Sequence, residues 1–503
     1  MTPRTVRPAA APASDDRSYI WVAAVICFLA WVVIKEIIIP RPIMVAMALL
    51  AGVFLFFKGS QKPELVTYAL VAYLPFSREL VGDFGGLATA FNFTNILMIF
   101  ILWVWFTGRY AQGEPRWIST PLNVPIMVFI LIGLISICRG SYLDVGDIGV
   151  VIINYKRWIT PIVLYFLVLN TVKDRITIRN VGIIIMIATT VAALMAIYDY
   201  IDKGDVGSME KSRIGGIAEQ PNQLAAFFNY YMFLPLGFFI MNMNKARYWW
   251  LLVPFMLCFR GIMVTFSRGG YLSFALGAYF ITFFRSKILL LLLVLATYII
   301  YLNPWMLPAG IRYRMGQTVK EAPAGETSSG LSEANIDTSS RRRVEVWRAG
   351  LDMIKDNPVF GVGYGLFPYM VKYYWDGGEM DSHNTYIILA AEMGLPALIV
   401  FLWIIWLILW NTAALYYKTK DPFAKALALG WLGGLGGLLL SNMFGSRLDS
   451  QEISGYLWIL SALIMRLKIL DAREGVAAAP VRKIGYGKRP EAREERHGER
   501  ATR

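Results

Sequence analysis

The sequence predicts an all-α, polytopic helical membrane protein of about fourteen transmembrane helices, with a long extracytoplasmic loop containing short helices. Three observations carry that prediction. Hydrophobic residues make up 56% of the 503-residue chain and charged residues 17%, against roughly 25% charged in an ordinary soluble domain. Apolar runs such as "IWVAAVICFLAWVVI" and "KILLLLLVLATYII" recur along almost the whole length, and a bilayer core about 30 Å thick calls for about 20 apolar residues per helix. Strand alternation of the outer-membrane-barrel kind is absent, and a helix satisfies its own backbone where lipid offers no partner.

Residues 1–18, "MTPRTVRPAAAPASDDRS", are Pro/Ala-rich and expected to be a disordered cytoplasmic N-terminus. About eleven spans follow within 19–303, centred near residues 27, 50, 70, 99, 130, 163, 190, 231, 257, 278 and 295. The run near residue 27 has no small-residue cleavage site behind it and reads as a retained span rather than a signal peptide. A polar loop occupies 304–382, and about three more spans, centred near 400, 433 and 460, occupy 383–470. A basic cytoplasmic tail, 471–503, closes the chain. Cys27, Cys138 and Cys258 sit in or at the end of apolar runs and read as small hydrophobes, not disulfides or ligands.

Orientation follows from the connections. With the N-terminus inside, Lys58/Lys62, Arg109/Arg116, Lys173/Arg175/Arg179, Lys245/Arg247, Arg285/Lys287 and Lys418/Lys420/Lys425 all face the cytoplasm, as the positive-inside rule requires. An even number of spans brings both termini to that side of the inner membrane. The net charge of +14 then reflects loops and a tail facing anionic headgroups, not nucleic acid. In the outer loop, "KEAPAGETSSGLSEANIDTSS" has the composition of a linker. Beyond it Val344, Trp347, Leu351 and Ile354 fall at helical spacing, with Ser340 as cap and Pro358 as stop.

Some basic residues run against this orientation: Lys156, Arg157, Lys203, Lys211, Arg213, Arg268 and Arg341–Arg343 all fall outside. Snorkelling accounts for any one of them. As a set they point to an outward cationic site for an anionic lipid-linked ligand, because guanidinium binds phosphate bidentately. In "MVTFSRGGYLSFALG", Gly269 and Gly270 would let backbone amides approach such a ligand, with the next helix aiming its positive end at the anion; a tight turn with a snorkelling Arg268 is the plainer alternative. Gly361-x-Gly363-x-Gly365 follows a helix, not a strand, and is no dinucleotide fingerprint. Arg260 lies inside a span, where an ionisable side chain suggests function by default. Asp199 and Asp202 read as counter-charges to neighbouring bases. No outer cluster has metal-ligand spacing, and no metal is expected.

Taken in order, Arg213…Pro221-Asn222, Ser267-Arg268-Gly269-Gly270, Arg343-x-x-x-Trp347…Asn357-Pro358-x-x-Gly361-x-Gly363 and His383-Asn384-x-Tyr386…Glu392-x-Gly394 resemble the O-antigen ligase and polymerase superfamily, over residues 210–400. The resemblance implies a GT-C-like fold and a membrane glycosyltransferase of O-antigen or exopolysaccharide biosynthesis. It implies an undecaprenyl-diphosphate-linked glycan donor, used at the outer face of the cytoplasmic membrane without nucleotide sugar, cofactor or metal. The acceptor hydroxyl belongs to another glycan in a polymerase, or to lipid A-core or a protein in a ligase. Membrane lipids and chain-length regulator proteins are further partners, and nucleic acid is not one.

The chain has two histidines, and His497 lies in the inner tail, so His383 is the one outer imidazole. Titrating near neutrality, it suits the base that takes the acceptor's proton or a group that orients the acceptor; a helix-capping or interfacial histidine is the plainer alternative. Arg268 and Arg343 would hold the departing diphosphate, with Arg213, Asn222, Gly269, Gly270, Asn384 and Tyr386 binding substrate. Glu392 lies about two and a half turns beyond His383, on the opposite face, and reads as structural. The span count and the long basic tail exceed what is usual in the family. A flippase or transporter of the same lipid-linked glycan is the alternative, but transporters tend to show repeated halves around a midplane site, whereas polar residues here gather at one face. A non-catalytic scaffold would explain the basic tail but not the outer Arg/His set.

Overall fold

The structure, a computed structural model, describes residues 20, 23–26, 52–80, 93–112, 117–141, 147–204, 211–316, 338–445 and 450–478. The expected N-terminal disorder, most of the runs near 27 and 50, the linker over 317–337 and the tail beyond 478 lie outside the described residues. Every regular element among the described residues is helical. The main helices are α1 Pro63–Tyr73, α2 Phe93–Gln112, α3 Asn123–Ser141, α4 Ile148–Thr171, α5 Arg175–Lys203, α6 Pro221–Tyr231, α7 Phe233–Met241, α8 Leu252–Val264, α9 Arg268–Arg285, α10 Lys287–Leu302, α11 Ala309–Gly316, α12 Thr338–Asp356, α13 Thr385–Lys418, α14 Pro422–Ser441 and α15 Gln451–Ala478.

Eight stretches among the described residues are long and apolar enough to cross a bilayer. They correspond to the runs near 130, 163, 190, 231, 257, 400, 433 and 460. The runs near 70, 99 and 295 form shorter apolar helices, and the run near 278 forms α9, 18 residues bounded by arginine at each end. The protein is a multi-pass, all-helical membrane protein.

Local sequence explains where several helices begin. Asp147, Asp174, Ser267, Asn384 and Asp421 each accept a hydrogen bond from a first-turn amide of the helix that follows, which satisfies donors that a helix leaves orphaned. Pro221 and Pro422 occupy first-turn positions where a missing N–H costs nothing. At the centre stands α14, "PFAKALALGWLGGLGGLLLS", which packs on α6, α7, α9 and α13. Its glycines permit backbone-to-backbone approach: a Cβ at Gly434 would lie 2.1 Å from the Tyr230 carbonyl oxygen. Small residues serve helix contacts in this way in membranes, where van der Waals packing replaces the hydrophobic drive. α15 packs on α4 and α3 on α13, whereas α10 contributes no buried residue and leans on α9 at the periphery.

α12 forms where helical spacing placed it and ends just before Pro358, but it begins at Thr338, so Ser340 is inside the first turn and not the cap. Its buried face also differs from the expected one. Val346, Ala349 and Met353 are buried, while Leu351 is 50% exposed. The small residues win because Gly350 comes so close to α13 that a Cβ there would be 2.6 Å from Ile387.

Candidate active site

Three segments meet at one end of the bundle. The first is the turn from α8 to α9. Its carbonyls at Val264, Thr265 and Phe266 accept hydrogen bonds from the Ile214 N–H (3.3 Å), Arg213 Nε (3.0 Å) and Arg314 Nε (3.1 Å). Cationic donors suit the negative end of a helix. Phe266 adopts a left-handed φ of 48°, a geometry that costs about 1–2 kcal/mol for an L-residue and that these bonds hold in place. Ser267 Oγ then accepts from Gly270 N–H at 3.2 Å, so Arg268 leaves as the first residue of α9 from a turn fixed on both sides. The charges of Arg213, Arg260 and Arg314 all act on the Tyr271 hydroxyl one turn further on. Arg260 also lies over the Tyr200 ring, 5.3 Å from its centroid.

The second segment carries His383. Trp347 Nε1 donates to the Ser382 carbonyl at 2.8 Å, and Ser382 Oγ accepts from Asn384 N–H at 3.1 Å. Asn384 Oδ1 accepts from the amides of Tyr386 and Ile387 and so caps α13. Between these buried neighbours His383 sits at φ 49° with its side chain 40% exposed. The third segment is α12, on which Arg343, partly buried, stands one turn before Trp347, so both share a face.

The turn after α14 joins the first two segments. Phe444 packs on Gly269, where a Cβ would lie 2.9 Å from the phenylalanine's own Cβ. Asn442 O accepts from Thr385 N–H at 2.8 Å, and Thr385 Oγ1 lies within hydrogen-bond reach of Asn442 Oδ1 and Gly445 O. Arg268, Arg343 and His383 are thus borne on three elements that touch one another at the same end of the molecule.

The residues expected to bind substrate hold a different position. Arg213 braces the α8–α9 turn and donates through Nη2 to Asn222 Oδ1 at 2.9 Å. A Cβ at Gly270 would meet Ala225 at 2.8 Å, so close packing calls for glycine at both 269 and 270. Asn384 is a helix cap, and the Tyr386 hydroxyl donates into the bundle to Leu439 O at 2.7 Å. Each of these side chains or glycines positions the groups around it.

The glycine-rich stretch has a mechanical role. α13 breaks at Gly394, φ 82°, followed by Pro396. Proline lacks an N–H, and Leu395 N–H turns away to Pro358 O at 2.8 Å, which frees the carbonyls of Ala391 and Glu392 from the helix ladder. Val362 and Gly363 supply the missing donors at 2.8 and 3.0 Å, and Ser136 Oγ adds a bond to Glu392 O at 2.7 Å. Glu392 itself is buried, and its carboxylate accepts from Phe367 N–H at 3.0 Å. The nine residues from Thr385 to Met393 therefore cross the end of the bundle from α14 to α3, fastened to the loop that carries α12. Nearby, burial and a hydrogen bond donated to Asp356 push the Tyr374 hydroxyl above its ordinary pKa.

Residues 253–402 match the family model described as O-Antigen ligase. Over that stretch the chain is similar to O-antigen ligases. No curated protein matches the chain. The matched stretch runs from α8 into α13 and holds Arg268, Gly269, Gly270, Arg343, His383, Asn384 and Tyr386. Arg213, Asn222 and the Asn442–Gly445 turn, which fasten its parts together, lie outside it. Arg314, inside the matched stretch, went unmarked in the sequence, although it too is a basic residue in the loop expected outside and so carries the same signal as Arg213. No such signal marks Asn442 or Phe444, whose place depends on the packing of α14.

Proposed function

We propose that this protein is a membrane glycosyltransferase that moves a glycan from undecaprenyl diphosphate to a hydroxyl acceptor at the outer face of the cytoplasmic membrane, as an O-antigen or exopolysaccharide polymerase or ligase. The observation that carries the reading is the convergence of Arg268, Arg343 and His383 at one end of the bundle, through the Asn442–Gly445 turn and the Trp347–Ser382 contact. Within it, the acceptor O–H bond breaks and its proton passes to His383. The oxygen bonds to the anomeric carbon, and the bond from that carbon to the diphosphate breaks with its electron pair leaving on the phosphate. Arg268 and Arg343 stabilise that charge as it develops.

Placing this end outside leaves Lys173, Arg175, Lys245, Arg247, Arg285, Lys287, Lys418, Lys420 and Lys425 at the cytoplasmic end, with both termini inside and residues 304–382 as the outer loop. A GT-C-like arrangement and chain-length regulators as partners belong to the same reading. Transport of the lipid-linked glycan, the alternative, gains nothing from the family match.

The test replaces His383, Arg268 and Arg343 one at a time by alanine in a deletion strain and sizes the glycan on a gel. Loss of long chains with single repeats still attached identifies a polymerase. Free polymer that never reaches its carrier identifies a ligase. Wild-type glycan from all three variants removes the enzyme reading.

A further inference from the structure

Asp381 stands two residues before His383 and has no part in the reading above, yet its carboxylate touches that histidine twice. Oδ1 accepts from the His383 backbone N–H at 3.2 Å, and Oδ2 lies 3.6 Å from Nδ1 of the ring. The surroundings make this arrangement rigid. Ser382 and Asn384 are 0% and 5% exposed, one held by Trp347 and the other capping α13. The chain is thus clamped on either side, and the residue between is forced outward in the left-handed region. For a residue other than glycine this costs on the order of 1–3 kcal/mol and persists where the surroundings over-determine it.

A neutral imidazole has one N–H and one acceptor nitrogen, and the partner of the first decides which nitrogen is left for chemistry. We infer that Asp381 is a positioning residue for His383: its carboxylate holds the Nδ1–H, so that Nε2 faces outward to take the proton of the acceptor hydroxyl. This rests on the proposed role of His383 as base. The separation of 3.6 Å is an ionic contact, longer than a closed hydrogen bond; contacts of this kind tighten when substrate is bound. Once Nε2 has taken the proton, the ring is a cation with a carboxylate beside it, and after the diphosphate has left the proton returns to solvent.

Asp381→Asn separates this role from a structural one. The amide oxygen still accepts the backbone N–H and keeps the turn, but the negative charge is gone. The assay uses the full-length protein in nanodiscs, with lipid-linked glycan that accumulates in the deletion strain as donor and membranes of that strain as the source of acceptor. Expected is a fall of about 10²-fold in the saturating rate, the lower end of a general base's contribution, with unchanged half-saturating donor concentration and unchanged melting temperature. Asp381→Glu restores part of the rate. A wild-type rate in Asp381→Asn while His383→Ala is inactive overturns the positioning role and leaves the base standing. A lowered melting temperature with a proportionate loss of rate also overturns it, in favour of a purely structural aspartate. Full activity in His383→Ala overturns the underlying reading instead.

Discussion

Arginine is used in two ways at the two ends of this bundle. At the end away from the candidate site, Arg175 opens α5 and reaches Asp421, Asp471 and Glu474, from α14's cap and α15. Carboxylates around a guanidinium cancel its charge. At the site end, the bonds that fix Arg213 and Arg314 run to the carbonyls of Thr265 and Phe266. A carbonyl acceptor fixes the direction of the guanidinium N–H that it receives. One arrangement fastens helices together; the other shapes a turn.

That contrast is most sharply tested at Arg268 and Arg343. Replacing either by alanine is expected to slow transfer by about 10²–10³-fold, the effect of removing one preorganised charge-stabilising donor, without lowering the melting temperature. Arg268→Lys keeps the charge but loses the planar fork and should recover only part of the rate. A variant that melts early and loses activity in proportion would place Arg268 with Arg175 among the fasteners.

Next in size is the splice at the broken helix. Gly394 has φ 82° and a Cβ there would fall 2.1 Å from the Val359 carbonyl oxygen. Gly394→Ala should destabilise the protein by about 3 kcal/mol, as strain and overpacking add, and lower activity because the arm bearing His383 and the loop bearing Arg343 are joined there. Thermal unfolding of the purified protein measures it. Unchanged stability would mean that the loop and α13 are not locked together in this way.

The same positions show what the sequence discloses. Long apolar runs near 130, 163, 190, 400, 433 and 460 appear as helices because twenty apolar residues have few other uses in a chain. The glycines at 361, 363 and 394 were visible as a pattern, but their work was not: it consists of carbonyls freed by Pro396 and of backbone angles, neither written in residue type. The face of α12 was misread for a related reason. Apolar bulk at Leu351 dominates a periodicity argument, whereas Ala349 and Gly350 make the closest packing because they are small. At the site, Arg268 and Arg343 stand out in the sequence as charges against the expected topology, and His383 as the one imidazole expected outside. Asn384 caps α13, Tyr386 donates into the bundle and Asn222 accepts from Arg213; these contacts were not legible in the sequence, because only packing tells which way a polar side chain faces.

Arg175→Ala tests the fastening end. Its partners range from 23% to 65% exposed, so solvent weakens the network, and a loss of about 1 kcal/mol is expected. Transfer measured well below the melting temperature should match wild type. A loss of rate at unchanged stability would tie the Arg175 end to the chemistry and break the division of labour between the two ends.

Comparable in size is the effect expected at Arg314, and it distinguishes orientation from charge. Arg314→Gln removes the cation and the Nε donor to Phe266 O, leaving the left-handed residue with one brace fewer. A hydrogen bond from a charged group contributes about 1.5–3 kcal/mol gross, but Arg213 and Ile214 still hold the neighbouring carbonyls, so a fall of about 5- to 10-fold in rate, or about 1 kcal/mol, is expected. Arg314→Lys then decides the cause. Lysine restores the charge but not the directed Nε–H, so it should behave like glutamine if the turn's geometry limits the rate and like arginine if the positive field does. Equal activity in all three would remove Arg314 from the site and leave Arg213 as the turn's sole cationic support.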